Sequence, residues 1–195
     1  MTRLEQQMQF IMELDKMKQI GRQTYLADGS RKENDAEHSW HLAVMAMLLT
    51  EYATEPVDKL HVIMMVLVHD VIEIDAGDTY AYDTEAAKTK RQRELLAADH
   101  LFSMLPEDQG RMLRALWDEF EENVTPEARF AHALDNVQPI SLNHASGGLG
   151  WREHHVKKSQ IYGRNAHTAE GSETLWNMAK AMVDQHVESG DVQDA

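Results

Sequence analysis

The sequence predicts an all-α protein, folded as a single-domain helical bundle. Three observations carry that prediction. Proline is rare, at four of 195 residues, while methionine is frequent at twelve, and abundant Ala, Leu and Glu complete a helix-favouring composition. No stretch alternates apolar and polar residues cleanly enough to read as a half-buried strand. Apolar residues recur instead at three- and four-residue steps through most of the chain.

Leu4, Met8, Ile11 with Met12, Leu14 and Met17 place an amphipathic helix over 4–20, ended by Gly21. A polar segment from Ala27 to Asp35 leads to a second helix over about 36–52, with Leu42, Met45, Leu48 and Leu49 on its apolar side. Pro56 stands near the start of the next helix, where its missing N–H is harmless. That helix is apolar almost all round from Leu60 to Ile72, which marks it as central and buried. Further helices are expected at 84–105, 106–122, 126–143, 151–162 and 168–188. Thr125 is the expected N-cap of the 126–143 helix, with Pro126 at its first position. Ser146–Gly150 reads as a flexible loop and 189–195 as a flexible tail. With no internal repeat and no low-complexity linker, residues 1–195 are expected to form one domain, its core at about 14–143 and the helices of 151–188 packed on it.

Charge narrows the function classes. Asp and Glu number 33 against 19 Lys and Arg, a formal charge of −14, which argues against binding a nucleic-acid backbone. An anionic substrate would need an intervening cation. The absence of cysteine removes disulfides, thiolate metal sites and a cysteine nucleophile. Residues 1–20 scatter Glu5, Glu13, Asp15, Lys16 and Lys18 among apolar positions, unlike a signal peptide. The longest apolar run, Val62 to Val68, falls far short of the roughly 20 residues that span a bilayer. A soluble, cytoplasmic protein without a membrane partner is the expectation. The sequence contains no GxxxxGK[ST], GxGxxG, GxSxG or HExxH motif.

Eleven histidines are the remaining oddity, since imidazole is both the commonest metal ligand and the commonest proton shuttle near neutral pH. Four polar groups stand where core helices should be apolar: His38, the pair His69-Asp70, and Asp135. His69 and Asp70 follow directly on Val62–Val68, and a carboxylate there needs a partner. On spacing alone a lone His on an apolar face is more often a satisfied core residue than a ligand. Brought together, two imidazoles and two carboxylates would form a ligand field suited to six-coordinate Mn, Fe, Co or Ni, or to Zn with fewer positions. Such a site could acidify a water and polarise a substrate oxygen. Glu73, four residues after His69 on the same helical face, could orient that water. The other histidines read as surface or structural, His132 least securely because it shares a face with Asp135.

The order His38, His69-Asp70, Asp135 resembles the H…HD…D signature of the HD-domain metal-dependent phosphohydrolases. The segments Arg31-Lys-Glu-Asn-Asp-Ala-Glu-His-Ser39, His69-Asp-Val-Ile-Glu-Ile-Asp-Ala-Gly-Asp-Thr79, Leu105-Pro-Glu-Asp108, Leu116-Trp-Asp-Glu-Phe120 and Ala133-Leu-Asp-Asn-Val137 resemble the branch of the 5′-deoxynucleotidases and HD-domain-containing protein 2. The resemblance runs from about Leu14 to Ile140 and implies an HD-type bundle. It implies His38, His69, Asp70 and Asp135 as ligands of one divalent ion, with Mn, Co, Ni, Fe, Mg and Zn as candidates. It further implies Glu73 and Asp78 as catalytic carboxylates, Arg22 and Asp78 as substrate contacts, and a homodimer. Arg22 makes chemical sense independently, because its planar fork can hold a phosphate bidentately. One position departs: Gln23 stands where the deoxynucleotidases carry Trp, which leaves the preference between deoxy and ribo substrates open. The implied activity is release of phosphate from nucleoside 5′-monophosphates. Two alternatives stand beside it, hydrolysis of a nucleoside di- or triphosphate at the same site, and a helical protein that binds metal and nucleotide without turnover.

Overall fold

The structure, a computed structural model, describes residues 1–77 and 87–194. Thr2 opens it by capping the first helix. Its hydroxyl accepts from the Glu5 N–H at 3.2 Å while Glu5 accepts from the Thr2 N–H at 2.7 Å, so α1 (Arg3–Leu14) starts with its first donors satisfied. The helix stops before residue 20 and passes into a 3-10 turn at Asp15–Gln19. Its buried face also differs from the expected one. Phe10 turns inward together with the expected Met17, whereas Leu4, Met8, Ile11 and Met12 stay on the surface.

The main departure from an all-helical chain lies between residues 21 and 34. Gly21–Tyr25 (β1) and Lys32–Asn34 (β2) pair antiparallel, with Gly21 opposite Asn34 and Tyr25 opposite Lys32. Gly29, at a φ of 70°, turns the chain and donates to the Leu26 carbonyl at 2.8 Å. Gly21 thus begins a strand instead of closing a helix, and the polar segment 27–35 is the second half of a hairpin.

Helix α2 (Asp35–Leu49) follows at once, its first residue tied back to Ile20 by a 3.2 Å bond from the Asp35 N–H. Helix α3 (Lys59–Val68) is capped by Asp58, whose carboxylate accepts from the Leu60 N–H at 2.9 Å. It ends at Val68, not Ile72, and the chain turns through 69–72 into the short α4 (Glu73–Ala76). Helix α5 (Ala87–Ser103) comes next; its expected start at Thr84 lies outside the described residues. Helix α6 (Glu107–Glu122) closes on Asn123, which takes a left-handed φ of 51°. Thr125 then caps α7 (Pro126–Ala145) as expected, accepting from the Ala128 N–H at 3.1 Å.

Both expected C-terminal helices are broken. Residues 151–162 divide into α8 (Leu149–Glu153) and α9 (Lys158–Arg164) around His155, whose φ is 50°. Residues 168–188 divide into α10 (Thr168–Gly171) and α11 (Glu173–Glu188) at Ser172. The Ser172 hydroxyl accepts from the Leu175 N–H at 3.2 Å and donates to the Tyr52 carbonyl at 2.6 Å, which restarts the helix at a new angle. The tail expected to be flexible is held instead. Val192 is buried, and Gln193 exchanges backbone bonds of 3.1 and 2.8 Å with Val156 and Lys158.

Apolar packing falls into two clusters. Leu42, Val62, Met65, Phe130, Leu134 and Trp176 belong to the larger, and Phe10, Met17, Val68, Leu101, Phe102 and Trp117 to the smaller. Helix α3 contributes to both, and His69-Asp70 follow directly where it passes from one to the other. Among the described residues no helix is long and apolar enough to cross a membrane.

Close packing of α10 on α7 leaves no room at Gly171, where an added Cβ would stand 2.0 Å from the Arg129 carbonyl oxygen. Gly171→Ala is therefore expected to lower the urea-unfolding free energy by about 1–3 kcal/mol. Gly163→Ala, with nothing within 4 Å of the new methyl, should raise it by about 0.5–1 kcal/mol. Equal effects of the two substitutions would contradict this packing.

Candidate metal centre

Four elements deliver polar groups to the boundary between the clusters. The capping box at Asn34, with bonds of 3.0 and 3.1 Å to and from Glu37, sets the rotation of α2. Asp35, His38, Ser39 and Leu42 consequently share its buried face. His69 caps the C-terminus of α3 and Asp70 follows it; Asp135 projects from α7; the hairpin supplies Glu33 and Arg22.

These groups converge. His38 Nε2 lies 3.0 Å from Asp135 Oδ1 and 3.8 Å from Asp70 Oδ2. His69 Nε2 lies 3.1 Å from Asp70 Oδ2 and 3.8 Å from Asp135 Oδ1. Ligand atoms of His38, His69 and Asp135 all fall within 4.8 Å of one another, as do those of a second group, Asp35, Asp70 and Glu73. Arg22 joins the two: its Nη1 donates to Asp70 Oδ2 at 2.8 Å and to Asp35 Oδ1 at 3.3 Å, and its Nε lies 3.5 Å from Glu33 Oε1.

His69 supplies the test of whether these residues fit a cation. Its Nδ1 sits 2.8 Å from the Val66 carbonyl oxygen, which can only accept, so Nδ1 carries the proton. Nε2 is buried, lacks a hydrogen-bond partner and faces two carboxylates. A lone pair in that position is repelled unless a positive charge intervenes. Burial pulls His69 down, but Asp70 and Asp135 outweigh it and hold the imidazole well above its usual range, so that without an ion a second proton on Nε2 meets the same demand for positive charge. Both carboxyls are held low against their own burial, Asp70 chiefly by His69 and Arg22 and Asp135 by the two imidazoles. His38 is pushed down by burial and by Arg22. Two imidazoles and two carboxylates around one unsatisfied nitrogen suit a divalent metal ion, and the residues present fit it.

The cluster opens on a cavity of about 370 Å³, whose walls include Arg22, His69, Asp70, Glu73 and Asp135. Lys90 and Glu94 of α5, Glu121 of α6, His132 and Asn136 of α7, and Arg164 and His167 beyond them complete much of the wall. Arg22, His38, His69, Asp70, Glu73 and Asp135 are thus brought together, while Asp78 lies outside the described residues. Reasoning from sequence missed Glu33, Asp35, Gln138, Arg164 and His167. His132 is positioned structurally: its Nε2 donates to the Phe120 carbonyl at 2.8 Å and its ring stacks on Phe120 at 3.9 Å between centroids.

The family profile of the HD domain matches residues 14–176. The chain belongs to the HD-domain family. The match runs beyond Ile140, so Arg164 and His167 fall inside the HD region. Among proteins similar to this HD domain, the 5′-deoxynucleotidase HDDC2 of Xenopus laevis is 31% identical over 134 residues, or 68% of this chain and 65% of that protein. The alignment therefore spans just under two thirds of the frog protein. HDDC2 of Homo sapiens is 30% identical over 150 residues, 73% of this chain and 72% of its own. A crystal structure from Magnetospirillum magnetotacticum MS-1, described as a predicted metal-dependent phosphohydrolase, superposes with a TM-score of 0.93 at 46% identity over 98% of this chain and 96% of that one.

Arg22 is the guanidinium that offsets three buried carboxylates of this HD domain. Arg22→Met should lower the unfolding free energy of chelator-treated protein by about 3–5 kcal/mol, measured in urea, because it strands those charges. An unchanged midpoint would show that something else balances them.

Proposed function

We propose that this protein is a metal-dependent phosphohydrolase acting on nucleotides, and specifically a 5′-nucleotidase that releases phosphate from (deoxy)nucleoside 5′-monophosphates. The observation that carries the proposal is the close approach of His38, His69 and Asp135, with Asp70 3.1 Å from His69 and 3.8 Å from His38, beside Arg22 and a cavity of about 370 Å³. That volume lies in the range of small-molecule sites. The similarity to proteins named 5′-deoxynucleotidases supports the same reading.

His38, His69, Asp70 and Asp135 would hold the ion. Bound there, a divalent metal supplies a Lewis acid for the phosphate and an acidified attacking water. Arg22 would present Nη2 to phosphate oxygens, since Nη1 is held by Asp35 and Asp70 and the buried Nε faces Glu33. Glu73, buried in the cavity wall and within 4.8 Å of Asp70, orients the water for attack. Asp78, by its place in the motif, is proposed as a second catalytic carboxylate and a substrate contact. The −14 charge is compatible with a mononucleotide whose phosphate meets a metal and an arginine, and not with a polynucleotide.

A second reading, cleavage of nucleoside di- or triphosphates at the same site, is favoured by one observation. Arg164 lines the cavity with no ion-pair partner among the described residues, so a further anionic group would be welcome there. We also place this protein as one HD unit over 1–195 and as a homodimer. The exposed apolar side chains of α1, α2 and α3, among them Ile11, Met12, Trp40, Leu48, Leu60 and Leu67, support self-association.

The deciding experiment measures phosphate release from ribo- and deoxynucleotides with Mn, Co, Ni, Fe, Mg and Zn supplied separately. Free phosphate plus nucleoside from monophosphates is the expected outcome; release only from di- or triphosphates would favour the second reading, and none from any substrate would reject both. A metal present at 100 times its Kd should add about 2.7 kcal/mol, roughly 5–10 °C in Tm. Asp70→Ala should abolish both that rise and turnover. Full metal-dependent activity in the variant would refute the site.

A further inference from the structure

Gln138 is fully buried in α7, one turn after Asp135, and its amide lies between two halves of the site. Its Oε1 stands 3.1 Å from His38 Nδ1, and its Nε2 donates to Glu33 Oε2 at 2.9 Å and to His41 Nδ1 at 3.2 Å. Each end is determined by its neighbour. Burial pushes the Glu33 carboxyl up to about 7; in its ionised form its oxygen can only accept from the amide nitrogen, which points the amide oxygen at His38. An amide oxygen cannot donate, so His38 must carry its proton on Nδ1. Nε2 is then the position left for a metal: without an ion it shares a proton with Asp135 Oδ1 at 3.0 Å and lies 3.8 Å from Asp70, and a cation bound there would displace the Nε2 proton while Nδ1 keeps its own. Glu33 meanwhile reaches Arg22 Nε at 3.5 Å through its other oxygen.

His69 obtains the same proton placement from the Val66 carbonyl, a backbone group three residues before it. His38 sits in the first turn of α2 and has no such backbone partner, so a side chain from another helix performs the task. We infer that Gln138, oriented by Glu33, is a positioning residue that locks His38 in the tautomer whose Nε2 can bind a metal, and that Glu33 ties this ligand to the phosphate-facing Arg22. The inference rests on the metal centre proposed above, although the tautomer itself can be observed without metal. Holding a ligating imidazole through its other nitrogen typically changes metal affinity 10- to 100-fold.

Three measurements test it. In metal-free wild type, the ¹⁵N shifts of His38 should show Nδ1 protonated, whether or not Nε2 also carries a proton towards Asp135; a neutral ring protonated on Nε2 alone would overturn the inference without any variant. Q138L, of similar volume but unable to accept, should lose that pattern and weaken Co²⁺ binding about 10- to 100-fold at fixed pH, read by calorimetry. The exchange E33Q/Q138E conserves charge, keeps an acceptor towards His38 and keeps a donor between the pair. It should restore the Nδ1-protonated ring and bring the Co²⁺ Kd within about threefold of wild type. Wild-type affinity in Q138L, or a swap that binds no better than Q138L, would overturn the proposal. Wild-type protein that binds Co²⁺ tightly but releases no phosphate would count against the hydrolase reading alone. Failure of wild type to bind Co²⁺ would count against the metal centre, and the tautomer measurement would still decide whether the lock exists.

Discussion

Burying several carboxylates at the boundary of two apolar clusters is the constraint on which the rest of this structure depends. Glu33, Asp35 and Glu73 are each less than 10% exposed, and Asp70 and Asp135 are nearly as enclosed. An uncompensated charge in such surroundings is unaffordable, so the fold must bring cations to them. Arg22 arrives on a hairpin that interrupts an otherwise helical chain. His38 and His69 arrive from a helix start and a helix end, where the backbone can be rotated without breaking a regular ladder. The apolar clusters in turn keep water from shielding these charges, which raises the energetic stakes of their geometry.

Much of this was legible in the sequence, and for a definite reason. His69 and Asp70 stand out against Val62–Val68 because polarity in an apolar run is conspicuous, and Asp135 contrasts with Ala133, Leu134 and Val137 in the same way. Glu33 and Asp35 lie in Arg31-Lys-Glu-Asn-Asp-Ala-Glu, where another acid carries no contrast, so burial there depends on a hairpin that only the tertiary structure reveals. Asp28-Gly29 was the available turn signal for that hairpin. Gln138 was also within reach, as a polar residue three positions after Asp135 on a face of apolar neighbours. Arg164 and His167 carried no comparable signal, because cations at the ends of short surface helices are commonplace.

The breaks in the C-terminal half follow the same logic. His155 takes a positive φ without being glycine, which no local pattern announces. Ser172 was readable as a cap but lay within a continuous apolar periodicity. The outward face of α1 marks the opposite error: its periodicity is real, but the stripe covered by the fold is the one bearing Phe10. Hydrophobic period identifies an element more securely than it identifies which neighbour covers it.

Asp70 Oδ2 is the closest carboxylate atom both to His69 Nε2 and to Arg22 Nη1, at 3.1 and 2.8 Å. A cation at the cluster and the guanidinium would therefore draw on the same negative charge. Loading the ion would weaken the hold on Arg22 and release it towards an incoming anion, while an empty cluster would keep the arginine occupied. Such sharing makes the occupancies of metal and phosphate mutually dependent, with equal coupling in both directions. It favours an order of events in which the ion precedes the nucleotide.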